Sequence, residues 1–143
     1  MAILCSLFVL FSIVAAEFQN VEFSKCADGT VEPQLVAQDP NPARIGKRFD
    51  LKISGNASEA ITQGKFTISL KFQFFQVFST EGDLCKILSC PVGPGPISAT
   101  LGMDIPEAAP PLSYEFKVEF KDGDKELMCI TTDLKLQYAA NEK

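Results

Sequence analysis

The sequence predicts an all-β domain in which two antiparallel sheets pack face to face as a β-sandwich. Three observations indicate this fold class. Apolar and polar residues alternate with a period of two in four stretches, turn-forming residues separate the stretches, and no stretch repeats its apolar residues at helical spacing. Because a strand with one apolar face must bury that face, two such sheets are expected to enclose a common core.

The four alternating stretches are the predicted core strands, and in each of them the apolar residues are expected to face inward. Successive side chains of a strand point to opposite faces, so each apolar set lines one face of a sheet. The inward sets are Phe49, Leu51 and Ile53; Phe66, Ile68, Leu70, Phe72 and Phe74; Leu112, Tyr114, Phe116, Val118 and Phe120; and Met128, Ile130, Thr132, Leu134 and Leu136.

Turn chemistry marks the ends of these strands. Gly reaches backbone conformations that other residues avoid, and Pro, Asn and Asp favour reversals of the chain. The predicted turns are at residues 28–29, 39–42, 54–56, 81–83, 91–96 and 122–124. The turn at 54–56 also begins an N-glycosylation sequon, which makes Asn56 a candidate glycosylation site.

The chain opens with an uncharged apolar run from Ala2 to Ala16 that ends at Glu17. The run is too short to span a bilayer, which takes about 20 helical residues. Small or modest side chains at Val14 and Ala16 precede a cut after Ala16. We therefore expect residues 1–16 to be a secretory signal peptide, with an N-terminal anchor as the alternative. Residues 17–143 then form one domain with a single core.

Four cysteines remain after residue 16: Cys26, Cys85, Cys90 and Cys129. An even number in a secreted domain indicates two disulfides, for which three pairings are possible. The short separation of Cys85 and Cys90 favours a local loop closure, which leaves Cys26 to join Cys129. A zinc site is a poor alternative, because the chain has no His and this cysteine spacing does not suit a four-ligand cage.

Charge and residue usage argue against several classes of function. The net charge is −5 and the lysines are scattered, whereas nucleic-acid binding draws on clustered Lys and Arg. Without His, a Ser or Thr nucleophile lacks its usual base, which leaves a carboxylate pair acting on a glycoside as the enzymatic alternative. Asp122 and Asp124 fall short of the roughly six to eight oxygens that calcium takes. We expect no catalysis, no nucleic-acid partner, and neither a cofactor nor a metal.

Phenylalanine is concentrated in one part of the chain. Ten of the twelve Phe follow residue 16, and five of these fall between Phe66 and Phe78. From Phe72 to Phe78 both faces of the predicted strand are apolar, so at least one large side chain must line a cavity or face the solvent. The segment from Ile105 to Leu112 is an apolar, proline-rich loop. Such a loop is typical of the rim of an apolar binding site, although it could also fold over the edge of the core.

Five groups of residues, in order along the domain, resemble a known family. They are Val21 to Cys26, Gly64 to Phe66, Asp83-Leu84-Cys85 with Ser89-Cys90-Pro91-Val92, Pro110 to Phe116, and Glu126 to Ile130. With them the chain resembles the ML (MD-2-related lipid-recognition) domain family. The similarity is greatest to the plant- and fungal-type branch of phosphatidylglycerol/phosphatidylinositol transfer proteins and Niemann-Pick type C2-like carriers.

The resemblance implies an immunoglobulin-like β-sandwich with a lipid cavity between its sheets, the pairs Cys26–Cys129 and Cys85–Cys90, and no catalytic residues. It also implies a phospholipid or sterol ligand and lipid transfer with transient membrane contact. The expected signal peptide and the acidic charge predict a place in the secretory pathway, either extracellular or in a vacuolar or endosomal lumen. We expect a monomer. Residues 27–48 lack the early cysteine of animal sterol carriers, which argues against strict sterol specificity. The alternative is a secreted lipid-recognition module that acts with a receptor in signalling or defence.

The expected lipid site has two apolar walls and a mouth, with the lipid tail or sterol ring between the walls and the head group in water. The first wall is Phe66, Ile68, Leu70, Phe72 and Phe74. The second wall is Ile97, Leu101, Tyr114, Phe116 and Val118. The mouth is Phe75, Val77, Pro110 and Pro111.

Overall fold

The computed structural model describes residues 17–138 as a succession of ten strands. The expected signal peptide, residues 1–16, lies outside the described residues, as do residues 139–143. The strands are β1 (Gln19–Val21), β2 (Ser24–Ala27), β3 (Val31–Asp39), β4 (Ala43–Arg44), β5 (Arg48–Ala57), β6 (Lys65–Phe72), β7 (Phe75–Asp83), β8 (Gly95–Asp104), β9 (Ser113–Asp122) and β10 (Lys125–Gln137). One turn of 3-10 helix, Leu84–Lys86, follows β7. Within residues 17–138, no helix is long and apolar enough to cross a membrane.

The strands form two sheets that face each other, which confirms the predicted all-β sandwich. Sheet A has the strand order β1-β3-β5-β8, and sheet B has the order β2-β10-β9-β6-β7. Neighbouring strands within these orders are antiparallel. The short β4 pairs in parallel with the last residues of β10. The strands of sheet A all lie within residues 19–104, and β9 and β10, which follow them in the chain, complete sheet B.

The core lies between the two sheets and is built from the alternating residues that the sequence predicts. On β5, Phe49, Leu51 and Ile53 are all buried, and on β9 the side chains of Phe116 and Val118 are buried opposite them. Burying one such side chain stabilises a fold by about 1.5–3 kcal/mol. The inward side-chain alternation of both strands is as predicted, and Phe49 meets Phe116 across the two sheets with ring centroids 5.9 Å apart.

Two predicted turns are wrong, and in each case a close contact explains the glycine. The predicted turn at 54–56 lies inside β5, where a Cβ on Gly55 would come within 2.5 Å of a backbone oxygen of β3. The predicted turn at 81–83 is the end of β7, where a Cβ on Gly82 would lie 2.6 Å from the ring of Phe66. Both glycines serve close packing within a sheet rather than chain reversal.

The chain reverses inside the phenylalanine-rich segment, where the sequence predicts a continuous strand. β6 ends at Phe72, Gln73 and Phe74 form a two-residue turn, and β7 begins at Phe75. Gln73 has a φ of 55°, a left-handed conformation that hairpin turns usually place on Gly or Asn. Because the turn contains neither residue, turn chemistry does not predict it.

Both predicted disulfides are formed. Cys26 on β2 bonds to Cys129 on β10, with their Cα atoms 5.1 Å apart. Cys85 bonds to Cys90 and closes the loop after β7, with a Cα separation of 5.3 Å. The carboxylate of Asp83 accepts a hydrogen bond of 2.9 Å from the backbone N–H of Cys85, which caps the 3-10 turn and fixes the start of this loop.

Candidate functional site

An apolar cavity of about 340 Å³ lies at one end of the sandwich, which we call the cavity end. Three parts of the chain meet there: the β6–β7 turn, the proline-rich segment 105–112, and the end of β10. The lining residues are Leu70, Phe72, Val77, Phe78, Ile105, Pro106, Ala108, Ala109, Pro110, Leu112, Tyr114 and Leu136. The segment that the sequence identifies as a rim therefore does form part of the cavity wall.

The cavity offers a ligand almost no polar group. Among the side chains that line it, the one polar atom is the hydroxyl of Tyr114, which donates a 2.9 Å hydrogen bond to the carbonyl oxygen of Pro110. The Tyr114 ring also packs edge to face on Phe72, with ring centroids 6.0 Å apart. Burial raises the pKa of Tyr114, so its hydroxyl stays neutral. Such a site suits a hydrocarbon group and gives no partner to a charged one.

A β-bulge explains how adjacent apolar residues of the phenylalanine-rich segment can face the same side. Leu70 pairs with Phe78 across β6 and β7, but the next pair is Lys71 with Gln76, which leaves Val77 without a register partner. A bulge of this kind bends a strand and redirects a side chain. As a result, the adjacent residues Val77 and Phe78 both line the cavity.

The structure divides the fourteen predicted lipid-site residues into three groups. The residues that line the cavity are Leu70, Phe72, Val77, Pro110 and Tyr114. The residues that lie deeper, in or against the core, are Phe66, Ile68, Ile97, Leu101, Phe116 and Val118. The residues exposed at the cavity end are Phe74, Phe75 and Pro111. The expected arrangement of two facing walls is therefore wrong in part. Tyr114, Phe116 and Val118 lie on β9, which pairs with β6 in sheet B, so they extend the first wall. Ile97 and Leu101 of the second wall are on β8 in sheet A, and neither lines the cavity.

Phe74 does not face inward, so this part of the sequence prediction is wrong. Its side chain is 97% exposed at the tip of the β6–β7 turn. The reversal at Gln73 ends the period-two alternation one residue after Phe72. The prediction that some large apolar side chain of this segment faces the solvent is confirmed, and Phe74 is the clearest case.

Seven lining residues are absent from the predicted site. Five of them belong to the segment 105–112, which the sequence identifies as a rim without assigning single residues to it. Leu136 belongs to the inward set of the fourth predicted strand, so the alternation of that strand already indicates that its side chain faces the interior. Phe78 follows both the turn and the bulge, so the alternation that ends at Phe72 does not predict the direction of its side chain.

Besides an open groove of about 620 Å³ along residues 111–113 and 135–138, two clefts larger than the cavity lie on the outer surface and have charged side chains in their walls. One, of about 850 Å³, is lined by residues of β6, β7 and the β9–β10 turn, among them Glu81, Asp83 and Lys121. The other, of about 630 Å³, lies between β3 and β10 and includes Glu115 and Asp133. Charged walls favour water and ions over hydrocarbon, so the smaller apolar cavity is the better candidate site.

Glu119 and Glu126 form a close carboxylate pair on sheet B, far from the cavity. Their oxygens and the sulfur of Cys129 all lie within 4.8 Å of one another. That sulfur is bonded to Cys26, so it is not a thiolate that could bind a metal. The Nζ of Lys121 lies 3.7 Å from Glu119 and 3.9 Å from Glu126. Burial, and then the nearby Glu119 charge, raise the pKa of Glu126, although Lys121 opposes this shift.

Known sequences match most of the chain. The ML domain family matches residues 20–136. A phosphatidylglycerol/phosphatidylinositol transfer protein of Neurospora crassa is 30% identical over 111 residues, which cover 73% of this chain. The same match spans 63% of that protein's own length, so this chain corresponds to less than two thirds of its fungal relative.

Solved structures share the fold at low sequence identity. A Niemann-Pick type C2 protein from the Japanese carpenter ant has a TM-score of 0.63 at 15% identity, over 81% of this chain and 99% of that chain. Chicken MD-1, solved in complex with lipid IVa, has a TM-score of 0.50 at 14% identity, over 85% of this chain and 99% of that chain. The predicted family is confirmed by the family match and the sandwich together: the chain belongs to the ML domain family.

Proposed function

We propose that this protein binds a membrane lipid and transfers it between membranes without making or breaking a covalent bond. The ligand is a phospholipid such as phosphatidylglycerol or phosphatidylinositol, or a sterol. The observation that carries the proposal is the cavity, whose single polar side-chain atom, the Tyr114 hydroxyl, already has its hydrogen-bond partner. The activity in the name of the Neurospora relative and the lipid bound to chicken MD-1 support it.

A cavity of this kind accelerates transfer because it shelters hydrocarbon from water. Each methylene exposed to water costs about 0.8 kcal/mol, so a free lipid leaves its bilayer slowly. Hydrocarbon that enters the cavity contacts Leu70, Phe72 and Leu136 instead of water. The polar head group stays at the mouth, since the lining side chains provide no free hydrogen-bonding group to hold it.

We propose further that the protein contacts the membrane with the cavity end. Seven large apolar side chains are exposed within residues 17–138, and Leu35 on β3 lies away from this end. The other six, which we call the apolar rim, are Phe18, Phe74, Phe75, Val77, Leu112 and Tyr138. The strand registers bring their segments to the same end of the two sheets. A group of exposed apolar side chains at the end of a fold that carries an apolar cavity is typical of a membrane contact site.

The disulfides support a protein of the secretory pathway, where such bonds form and persist. We propose that the protein acts as a monomer in the extracellular space or in a vacuolar or endosomal lumen. We propose no nucleic-acid partner. The side chain of Asn56 is exposed on the outer side of β5, which leaves room for a glycan there.

The first test compares lipid uptake by two matched variants of β6. Phe72→Asp places a charge in the cavity wall, and we expect it to reduce binding of phosphatidylglycerol from vesicles at least about 100-fold, because a charge in hydrocarbon surroundings is costly. Phe66→Asp makes the same change on the same face of the same strand, outside the cavity lining. Binding is measured by recovery of protein-bound lipid, followed by mass spectrometry of the intact complex.

The control separates loss of the site from loss of the fold. Both phenylalanines are half-buried, so circular dichroism should show a similar change in stability for the two variants, while Phe66→Asp retains uptake. If the folded Phe72→Asp protein carried lipid as well as the wild type, the cavity assignment would be wrong. If the wild type bound neither phospholipid nor sterol, the alternative function, a recognition module that acts with a receptor, would be the better supported one.

A further inference from the structure

The edge strand β8 has an unpaired outer side. β8 ends the strand order of sheet A, and in the described part of the chain it pairs with β5 alone. Ile105 continues the same register, and its backbone N–H donates to the carbonyl oxygen of Lys47, on the β5 side, at 3.0 Å. Because backbone groups alternate in direction along an extended strand, the N–H and C=O groups of Ser98, Thr100 and Gly102 point away from β5. They form a template on which one more strand can pair.

The other sheet edges are short, interrupted or charged, as natural proteins usually make them. β1 has three residues and β2 has four. β7, the other edge of sheet B, carries the bulge at Val77 and the charges of Glu81 and Asp83. β8 has ten residues, with Pro96 and Asp104 only near its two ends. Among the strands that the structure describes, β8 is therefore the one long, regular edge whose middle carries no charge.

Sheet B extends one strand beyond sheet A on this side of the sandwich. A single row of inward side chains crosses sheet B from Ile130 through Val118 and Ile68 to Thr80. The first three are at most 2% exposed, whereas Thr80 on β7 is exposed. Sheet A therefore covers β9 and β6 but leaves the inner face of β7 open. A strand added beside β8 would lie over that face and extend the sandwich.

A guanidinium group lies beside this edge, at the end of β8 nearest the cavity. The side chain of Arg48 crosses the outer face of β8 directly over Gly102, where it leaves no room for a Cβ. Its Nε donates to the carboxylate of Asp50 at 3.2 Å, and the side chain is 63% exposed. A carboxylate opposite Gly102 on an added strand would lie next to the terminal amino groups of Arg48, which suit it as donors.

We propose that β8 binds an extended segment of a protein partner, which adds an antiparallel strand to sheet A. The segment has apolar side chains at alternate positions, facing β7, and an Asp or Glu opposite Gly102 and beside Arg48. Its middle carries no charge, because an uncharged edge gives a charge there no partner. This interaction goes beyond the proposed function. No residue of β8 lines the cavity, so the partner and a lipid can be bound together.

The test follows hydrogen exchange at the backbone amides of the isotope-labelled full chain by NMR. The probe is a synthetic peptide as long as β8, with Val at alternate positions, Thr between them, and one Asp that lies opposite Gly102 in antiparallel register. In the free protein, the amides of Ser98, Thr100 and Gly102 should exchange fast, and those of the odd-numbered residues of β8 should be protected by β5. Saturating peptide should slow exchange at the first three at least about tenfold.

Two variants separate the edge from the rest of the fold. Thr100→Pro removes the middle edge-directed N–H, which has no partner in sheet A, so the fold should persist and peptide binding should weaken at least about tenfold. Thr100→Val is the matched control, since it changes the same side chain and keeps the N–H, and it should bind like the wild type. If Thr100→Pro does not fold, Ser98→Pro makes the same change nearer the start of β8.

Arg48→Gln tests the choice of partner. It should weaken binding of the Asp peptide about threefold or more and leave unchanged the binding of a peptide with Asn in place of Asp. Equal losses for the two peptides would contradict the acidic position of the proposed segment.

Three results would overturn the proposal as a whole. Protection of the Ser98, Thr100 and Gly102 amides in the free protein would show that another part of the chain already covers the edge. A peptide that changes exchange elsewhere, or nowhere, would show that β8 does not bind it. Equal binding to the folded proline variant and to the wild type would exclude backbone pairing. Lipid uptake from vesicles is measured separately, so none of these results bears on the proposed function.

Discussion

The two ends of the sandwich differ in what they expose and in what holds them together. The cavity end carries the apolar rim, the turn at Gln73 and one ion pair, Arg48 with Asp50. Toward the other end, which we call the stapled end, lie both disulfides and the other five ion pairs found within residues 17–138. There, hydrogen bonds to Asp28 and Glu32 raise the pKa of Lys25 to about 12.

This difference separates stability from lipid binding. A cavity and an exposed apolar rim both reduce stability, because the cavity lining lacks packing contacts and the rim keeps apolar surface in water. Disulfides at the stapled end offset this cost without occupying the space that a ligand needs. Changes at the stapled end should therefore alter stability and leave uptake unchanged, whereas changes to the exposed apolar rim should weaken membrane binding and leave stability unchanged.

The largest expected effect is the loss of the Cys26–Cys129 disulfide, which closes a separation of 103 residues. Replacing both cysteines with Ala should lower the free energy of unfolding by about 4–5 kcal/mol, because the unfolded chain regains the entropy of a long open loop. Replacing both Cys85 and Cys90, which are 5 residues apart, should cost only about 2 kcal/mol.

Urea denaturation of the two double variants measures this difference. Lipid uptake by the Cys85/Cys90 variant, assayed at a temperature where it is folded, should equal that of the wild type. Equal stability losses for the two variants would mean that loop length does not control the effect, and a loss of uptake in a folded variant would contradict the separation of the two ends.

The next effect concerns the tip of the β6–β7 turn. Phe74 and Phe75 are 97% and 71% exposed, so replacing both with Ser removes few contacts within the fold. We expect the change in unfolding free energy to stay within about 0.5 kcal/mol. If each ring contributes about 1 kcal/mol on entering a bilayer, the double variant should bind vesicles about thirtyfold more weakly. Leu35→Ser is the control, since Leu35 is exposed outside the apolar rim.

Vesicle sedimentation and the rate of lipid transfer between labelled vesicles measure this effect. The double variant should transfer lipid more slowly while its affinity for a soluble single-chain lipid stays the same. A variant that bound vesicles like the wild type would show that the membrane contact lies elsewhere, and an equal loss in Leu35→Ser would point to general surface hydrophobicity.

The sequence predicts the features of the fold that depend on local backbone and misses those that depend on contacts between strands. The alternation from Phe49 to Ile53 predicts the strand β5 correctly because side-chain parity is a local property of extended backbone. Gly55 and Gly82 are wrongly predicted as turn residues, because each of them packs against a neighbouring strand or ring that the local sequence does not reveal. The turn at Gln73 is missed since tertiary pairing of β6 with β7 outweighs the usual preference for Gly or Asn.

The site is predictable only in part, for a related reason. Parity identifies Leu70, Phe116 and Val118 as inward residues, and all three are inward. Parity does not say whether two inward residues touch each other or border empty space. That depends on the separation of the two sheets at each depth, which the alternation within one strand does not reveal. The bulge that brings Val77 into the cavity has no signature in the sequence beyond the loss of alternation.

The smallest expected effect is a dependence of stability on pH at the stapled end. The pKa of Glu126 is raised above its ordinary value of 4.5, because burial and the Glu119 carboxylate disfavour its charged form. Its contribution is therefore fully favourable below the unfolded pKa and is lost as the pH rises through the folded pKa. Glu126→Gln removes the charge, so the variant should be more stable than the wild type at neutral pH by on the order of half a kcal/mol.

The difference between Glu126→Gln and the wild type should shrink toward zero near pH 4, where both side chains are uncharged. Urea denaturation at several pH values measures it, and Glu115→Gln, on the same strand as Glu119, controls for the change in net charge. A Glu126→Gln variant that is less stable than the wild type at neutral pH would mean that the contact between Glu126 and Lys121 outweighs burial and repulsion. In that case the charges of the stapled end, like its disulfides, would add to stability. The difference between the contributions of the two ends to stability would then be larger.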